Sequence, residues 1–335
     1  MSGNGPVVCF GELLLRMSAP GNERLLQTGQ LNVHVGGAEA NVGVSLAQFG
    51  HDVDMVSTIA ANALGDAATG ELRRYGVSTD KVSAVAGRMG MYFLSTGAVR
   101  RPSSIVYDRA GSAFALAPRE SYDWRSLLAG ASWLHISGIT PAVGAPCTAA
   151  ALDAVAMASE LGVKVSFDGN YRALLWEQWE GDGPAILGQL LSHASLAFIN
   201  ERDLRLIFGA DCPAERADAY TFAFERLPRL EMIAATTRDQ SSVSDHDLGG
   251  ELVSRTGRWV SPVHELRGIV DRIGGGDAFA AGVLHGCLSQ SDPQQIINFA
   301  TAAAAIKHSI PGDFNLATVK DVADAMGDGG LDVRR

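Results

Sequence analysis

The sequence predicts an α/β fold with a mostly parallel central sheet, helices on both of its faces, and a small β-sheet lid. Three observations carry this. From Trp133 onward, short β-rich apolar runs alternate with helical stretches, the pattern of parallel strands joined by crossover helices. The first apolar run, Val7–Phe10, stops at Gly11 and is followed by more strand-like sequence instead of a helix. A second β-rich interruption lies at Gly90–Val99 and Ser104–Asp108, with a turn at Arg100-Arg101-Pro102 between them.

In order along the chain, Val7–Phe10 is a buried strand, and Glu12–Met17 and Leu31–Val35 are strands split by the polar loop at Gly21-Asn22-Glu23. Ala38–Phe49 turns helical and ends at Gly50; Val53–Ser57 is a strand and Asp66–Tyr75 a helix ending at Gly76. After the second interruption come strand Trp133–Ser137, helix Ala145–Leu161, strand Val163–Phe167 and a helix after Gly183. Strand Leu196–Ile199, a helix from Glu201, strand Met232–Thr236 and helices Asp277–Leu288, Pro293–His308 and Thr318–Met326 complete the pattern. No internal repeat or low-complexity linker divides the 335 residues, so one domain with an inserted lid is the simplest organisation.

Composition excludes several classes. A formal net charge of −10 argues against a general nucleic-acid or membrane-surface binder, and no window approaches the roughly 18 apolar residues of a membrane span. Cys9, Cys147, Cys212 and Cys287 lie far apart without a Cys-x-x-Cys pair, as in reduced cytoplasmic proteins. Met1 to Pro6 carry neither the basic nor the apolar part of a leader, so a cytoplasmic location is expected.

The most informative stretch runs from Asp271-Arg272-Ile273-Gly274-Gly275-Gly276-Asp277 to Gly282. Three glycines open a helix of small residues, and free N–H groups at a helix start, with the positive end of its dipole, attract anions. An aspartate repels a phosphate there, but it makes sense as the acceptor of a proton from a hydroxyl beside a transferring phosphoryl group. Without that chemistry, Asp277 is a first-turn aspartate complementing the helix dipole.

This stretch closely resembles the Gly-Ala-Gly-Asp signature of the ribokinase-like (pfkB) carbohydrate kinases. Gly36-Gly37-Ala38-Glu39-Ala40-Asn41 is similar to the family's substrate segment, and Gly65-Asp66…Gly70…Leu72…Gly76-Val77 to its next signature, all in the family's order across nearly the whole chain. The resemblance implies a ribokinase-like three-layer sandwich formed by a single domain over residues 1–335, with lid segments at about 12–35 and 89–110. It implies ATP with Mg²⁺ as phosphoryl donor, a small alcohol as acceptor, Asp277 as base, and the amides of Gly274, Gly275 and Gly276 as the anion hole. Nucleotide contacts fall on Asn170, Asn200, Thr236, Arg238 and His308 as well as on Gly274 and Gly276. Asp203 stands where the family's Asn-x-x-Glu has its magnesium-linked glutamate. In parts of the family a monovalent cation binds, for which Asp271 is the candidate. Lids of this kind pair with a second copy, so a homo-oligomer through the lid is expected.

Three segments point to an acidic sugar. Asp168-Gly169-Asn170-Tyr171-Arg172 follows a predicted parallel strand, where ligands bind in such sheets, and Arg172 offers a fork suited to a carboxylate. Tyr92, Tyr107 and Arg109 stand on the lid strands, and Lys307-His308 with Pro311-Gly312-Asp313 follow the late helix. Each has a plainer explanation: a surface arginine, lid packing, a helix C-terminus stopped by Pro and Gly. Together they resemble the branch of 2-keto-3-deoxygluconate kinases, in which Gly37, Asn41, Tyr92, Tyr107, Arg109, Arg172 and Asp313 would line the sugar acid beside Asp277.

Two departures stand out. The family's Lys-x-Gly-x-x-Gly nucleotide loop is replaced by Thr236-Thr237-Arg238-Asp239-Gln240-Ser241-Ser242, and Arg272-Ile273 replace a common Thr-Thr. Other readings remain: a kinase of a neutral sugar such as fructose or ribose, and a non-catalytic sugar-binding protein. A dinucleotide-dependent oxidoreductase wants Gly-x-Gly-x-x-Gly after the first strand, where Gly11-Glu12 runs into another strand; no Gly-Lys-Ser/Thr of a Walker-type NTPase occurs.

Overall fold

The computed structural model describes residues 5–327; Met1–Asn4, the start of the segment inspected for a leader, lie outside it. Ten strands form the main sheet: β1 (Val7–Phe10), β4 (Val53–Ala60), β5 (Val82–Val85), β8 (Trp133–Ser137), β9 (Lys164–Asp168), β10 (Leu196–Phe198), β11 (Met232–Gln240), β12 (Asp245–Ser254), β13 (Arg258–Val260) and β14 (His264–Arg267). Their order is β13-β12-β11-β10-β9-β8-β1-β4-β5, with β14 also on β12; every pair from β11 to β5 is parallel. Strands β12, β13 and β14 are antiparallel and make an edge that the sequence analysis left unassigned. The strand expected to end at Thr236 continues to Gln240, because β12 pairs with it along its whole length.

Helices cover both faces. One layer of the core packs β1, β4 and β10 side chains such as Cys9, Met55 and Phe198 against the helices Ala38–Gln48, Gly275–Leu288 and Pro293–Lys307. The other packs Val8, Phe10, Ile136 and Phe167 against the helices Ala145–Leu161 and Gly183–Leu191. Alternate residues of one strand thus serve opposite layers, as a doubly covered parallel sheet requires. The helix Ala145–Leu161 shows the local logic: alanine-rich, with Pro146 in its first turn and Gly162 left-handed at its end.

The lid is a separate four-stranded sheet in the order β3-β2-β6-β7, from β2 (Leu14–Ser18), β3 (Asn32–Gly36), β6 (Gly90–Ser95) and β7 (Ser104–Asp108). The two β-rich interruptions therefore build one sheet. Its second half is shorter than expected, since β6 ends at Ser95 and Val99 adopts φ 54° in the turn. Register sorts its two faces. Arg16 stands opposite His34 and Tyr92, and Tyr92 opposite Tyr107, so this row looks inward with Leu14. Met17, Val33, Phe93 and Val106 form the adjacent outward row.

The lid is fastened to the main body by Arg16, whose side chain is 1% exposed. Its two Nη atoms donate to both carboxylate oxygens of Asp271 (3.2 and 2.7 Å), and Nε lies 2.9 Å from Asp313 Oδ1. Breaking a buried pair strands the partner charges in a medium that cannot solvate them. Arg16→Met is therefore expected to lower unfolding stability by about 3–5 kcal/mol; a urea titration showing less than about 1 kcal/mol lost would mean that water reaches the pair.

Candidate active site

The inward lid face, the carboxyl ends of the parallel strands and the start of the helix Gly275–Leu288 enclose a cleft of about 470 Å³. A larger cleft, about 760 Å³ at the opposite end of the sheet, has Lys164 and Cys287 as its titratable groups and no carboxylate.

Gly274 caps the helix at φ 81°, a left-handed conformation natural to glycine, and any Cβ there would collide with the Asp313 carbonyl. The turn leaves the helix-start N–H groups beside the cleft, with Gly276 and Asp277 in the first turn. Asp277 Oδ2 accepts a 2.6 Å bond from Asn41 Nδ2. Asn41 is placed by Gly37, which caps the helix Ala38–Gln48 at φ 144° with its α-carbon against the Glu12 carbonyl. Below it the buried Glu39 Oε1 accepts from Ser137 N (2.9 Å), Ser137 Oγ (2.8 Å) and Thr140 Oγ1 (2.7 Å), pinning that helix to the end of β8.

The charge distribution is unusual. Burial pushes the Asp277 carboxyl up to about 7, with Glu39 and Asp313 adding repulsion while the Asn41 bond and Arg172 pull it back. Asp168, at the end of β9, is also raised to about 7, first by burial and then by repulsion from Asp277, and Asp203 is raised by burial. Asp168 and Asp203 line the same cleft, and the buried Asn170 Oδ1 beside them has no hydrogen-bond partner. Among the described residues no three side chains form a metal cage by themselves. Two crowded carboxylates and an orphaned amide oxygen do fit Mg²⁺, which takes one or two carboxylates and fills its remaining positions with water and substrate phosphates.

The lid closes the other side. Tyr92 Oη donates to Asp313 Oδ2 (2.9 Å), and Tyr107 and Arg109 line the cleft with it. Arg109 is not free: its Nε donates to the buried Glu12 Oε2 at 2.5 Å, and Ser112 Oγ donates to Oε1 at 2.5 Å. Arg172 sits exposed at the rim with one bond, from Nη1 to the Tyr171 carbonyl (3.1 Å). Arg238 and Arg272 complete the lining on the β11 side.

Most of the expected site residues thus meet in one cleft, and four do not line it: Gly275, which is buried against His308, and Asn200, Thr236 and His308. Asn200 is occupied as a helix cap: its Oδ1 accepts from the backbone of Arg202 and Asp203, while Asp203 Oδ2 accepts from Asn200 N. Thr236 lies within β11, paired with Gly250, because the strand runs on past it. His308 is buried against Gly275, its Nδ1 2.7 Å from the Ala304 carbonyl, and burial lowers it to about 4, so the ring stays neutral. Asp271, the candidate for a dissolved monovalent cation, does not fit one: both oxygens are taken by Arg16, and they also accept from Ile273 N (3.0 Å) and Gly312 N (3.0 Å). Sequence reasoning missed Asp168, Glu12 and Arg16. Asp168 had a signal, a carboxylate at a parallel-strand end; the other two had none, since both sit in a strand or loop that only the lid topology brings inward.

The cleft therefore brings together a buried carboxylate, a glycine turn at a helix start and the inward face of the small sheet. The chain belongs to the pfkB family of carbohydrate kinases, whose family model matches residues 5–316. It is 29% identical over 330 residues to a 2-dehydro-3-deoxygalactonokinase of Haloferax volcanii, covering 97% of this chain and 98% of that protein. It is 25% identical over 309 residues to a 2-dehydro-3-deoxygluconokinase of Bacillus subtilis, covering 92% and 91%. Among solved structures it resembles a 2-dehydro-3-deoxygluconokinase of Thermotoga maritima, with 38% identity, a TM-score of 0.89, and coverage of 96% of this chain and 98% of that one.

Proposed function

We propose that this kinase transfers the γ-phosphoryl group of ATP to the terminal hydroxyl of a sugar acid, 2-keto-3-deoxygluconate, giving the 6-phosphate. The observation that carries the reading is the meeting of Asp277, the Gly274–Gly276 turn and the exposed Arg172 in one lidded cleft. Relatives named for 2-dehydro-3-deoxygluconate, at up to 38% identity, favour the acid over a neutral sugar.

In this reading Asp277 takes the proton of the terminal hydroxyl as that oxygen bonds to the γ-phosphorus. The bond to the β–γ bridging oxygen breaks and ADP departs. Charge developing on the transferred group is met by the free amides of the glycine turn. Asn41 holds the Asp277 carboxylate at the right angle, and Arg172 reads the substrate carboxylate. Tyr92, Tyr107, Arg109, Gly37 and Asp313 shape the sugar pocket, with Arg109 held rigid by Glu12. Arg238 lies where the nucleotide phosphates enter. Asp168 and Asp203, with Asn170, would hold Mg²⁺, which when bound screens the phosphate charge. We take the chain as one domain with its lid at about 12–35 and 89–110, acting in the cytoplasm, where the free cysteines stay reduced. The described residues include no helix long and apolar enough to cross a membrane. Val33 and Val106, each 55% exposed on the outward lid row, suit pairing with a second copy.

A neutral sugar is the second reading, because Glu12 already compensates Arg109 and leaves fewer free cations for an acid. ADP release measured with 2-keto-3-deoxygluconate, gluconate, fructose and ribose separates the two, and turnover with none of them would favour a binding protein. Asp277→Ala should cut kcat by about 10² to 10⁴-fold with the fold intact; near-normal activity removes the base. Since the base works only unprotonated and is held near 7, kcat/KM should fall tenfold per unit below about pH 7. A midpoint near 4, the ordinary carboxylate range, would refute the buried base. Arg172→Ala should raise KM for the acid by about ten- to 150-fold, the worth of a charged hydrogen bond; unchanged preference for acid over neutral sugars would show that Arg172 does not read the carboxylate.

A further inference from the structure

Lys307 ends the helix Pro293–Lys307 and is wholly buried. No carboxylate lies within ion-pair range of its ammonium among the described residues; Nζ donates to the Ile310 carbonyl at 2.9 Å. Its Cε lies 3.1 Å from where a side chain on Gly274 would begin, which puts the ammonium stem directly behind the anion-hole turn. The charged groups around it come from every neighbouring element: Arg16 from the lid, Asp271 before the glycine turn, Asp277 in the helix after it, and Asp313 in the C-terminal loop. Arg16 and Lys307 match Asp271 and Asp313 in charge, leaving Asp277 as the one carboxylate of the group without a cation of its own. Without Lys307 one further negative charge would stand unmatched just behind the turn that must receive the phosphoryl group.

We infer that Lys307 is a resident cation of the transfer site, which balances the charge behind the glycine turn and lets this enzyme turn over without a dissolved monovalent cation. The inference rests on the kinase reading above and deepens it. It agrees with the state of Asp271, whose oxygens are saturated by Arg16 and two backbone N–H groups and have no room for a dissolved ion. A dissolved ion would have to be recruited and desolvated at each site, whereas a lysine held by the fold is always present. Its role is positioning and electrostatic, because it lies behind the turn and not in the cleft.

The test compares turnover with K⁺ and with tetramethylammonium as the only monovalent cation. Wild-type kcat should agree within about twofold in the two, whereas activation by K⁺ of about tenfold or more would overturn the inference. Lys307→Met should lower kcat by about tenfold or more, the effect of one unit charge several ångströms away at a protein's effective dielectric. KM for the sugar should shift by less than about threefold. Ammonium or K⁺, but not tetramethylammonium, should restore part of the loss, which a helix-capping lysine would not explain. A folded Lys307→Met enzyme with wild-type kcat overturns the inference, and if that variant does not fold, the wild-type ion comparison decides alone. Absence of turnover with every sugar would instead remove the kinase reading, and the inference with it.

Discussion

The grip of Arg16 on Asp271 and Asp313 is the constraint on which the rest of the site depends. Arg16 stands on a lid strand, Asp271 precedes the glycine turn, and Asp313 belongs to the loop whose carbonyl lies against Gly274. One guanidinium thus fixes the lid, the glycine turn and the Asp313 loop relative to one another. Arginine suits the task because its planar fork can satisfy one carboxylate bidentately while Nε stands 2.9 Å from a second as an ion pair. Burial presses the Asp271 carboxyl up, yet the Arg16 bond and charge bring it below its ordinary range, so it stays ionised; burial leaves Asp313 raised.

The same low-dielectric setting explains why so many carboxylates face a cleft meant for phosphate. Asp168 and Asp277 are each raised to about 7, chiefly by burial, and burial raises Asp203 as well, so the cleft holds protons more readily than exposed carboxylates would. Two of these groups are suited to a divalent ion and the third to a proton. The difference lies in partners. Asp277 is held by a neutral amide at 2.6 Å, which orients the carboxyl without fixing its charge. Asp203 is bound to the start of its own helix, and Asp168 accepts from the backbone N–H of Asn170 at 3.2 Å, so both are placed by backbone and keep an oxygen to offer.

Where local chemistry dominates, the sequence was legible. The helix starts at Gly37 and Gly274, the long helix Ala145–Leu161 and the strands from Trp133 onward follow from glycine placement and periodicity, and the glycine turn with Asp277 was legible as a helix start. The lid was legible as two interruptions but not as one sheet with β2 and β6 parallel, because that pairing joins residues more than 70 positions apart. The edge β12–β14 was hidden because Asp245-His246-Asp247 and Gly249-Gly250 break the apolar alternation that marks a strand. Glu12, Arg16 and Lys307 look like ordinary charges in sequence; only tertiary burial gives them partners and meaning. His308 and Asn200 show the reverse error, in which a position matched to a family role is already committed to packing or to a cap.

The alternation of the lid strands couples two properties that could have been independent. On β2 and β6, even-numbered residues (Leu14, Arg16, Tyr92) face the cleft and odd-numbered ones (Met17, Phe93) face outward beside Val33 and Val106. Because the period is two, a one-residue slip would turn Arg16 and Tyr92 to solvent and bring the apolar row over the polar cleft. Arg16 resists that slip, since its charge has partners on one side only. A lid whose register turns Arg16 and Tyr92 inward therefore also turns its apolar row outward, and anything that fixed one face would fix the other. The face over the cleft and the apolar outward face are in this way two sides of one strand register, set by a buried ion pair.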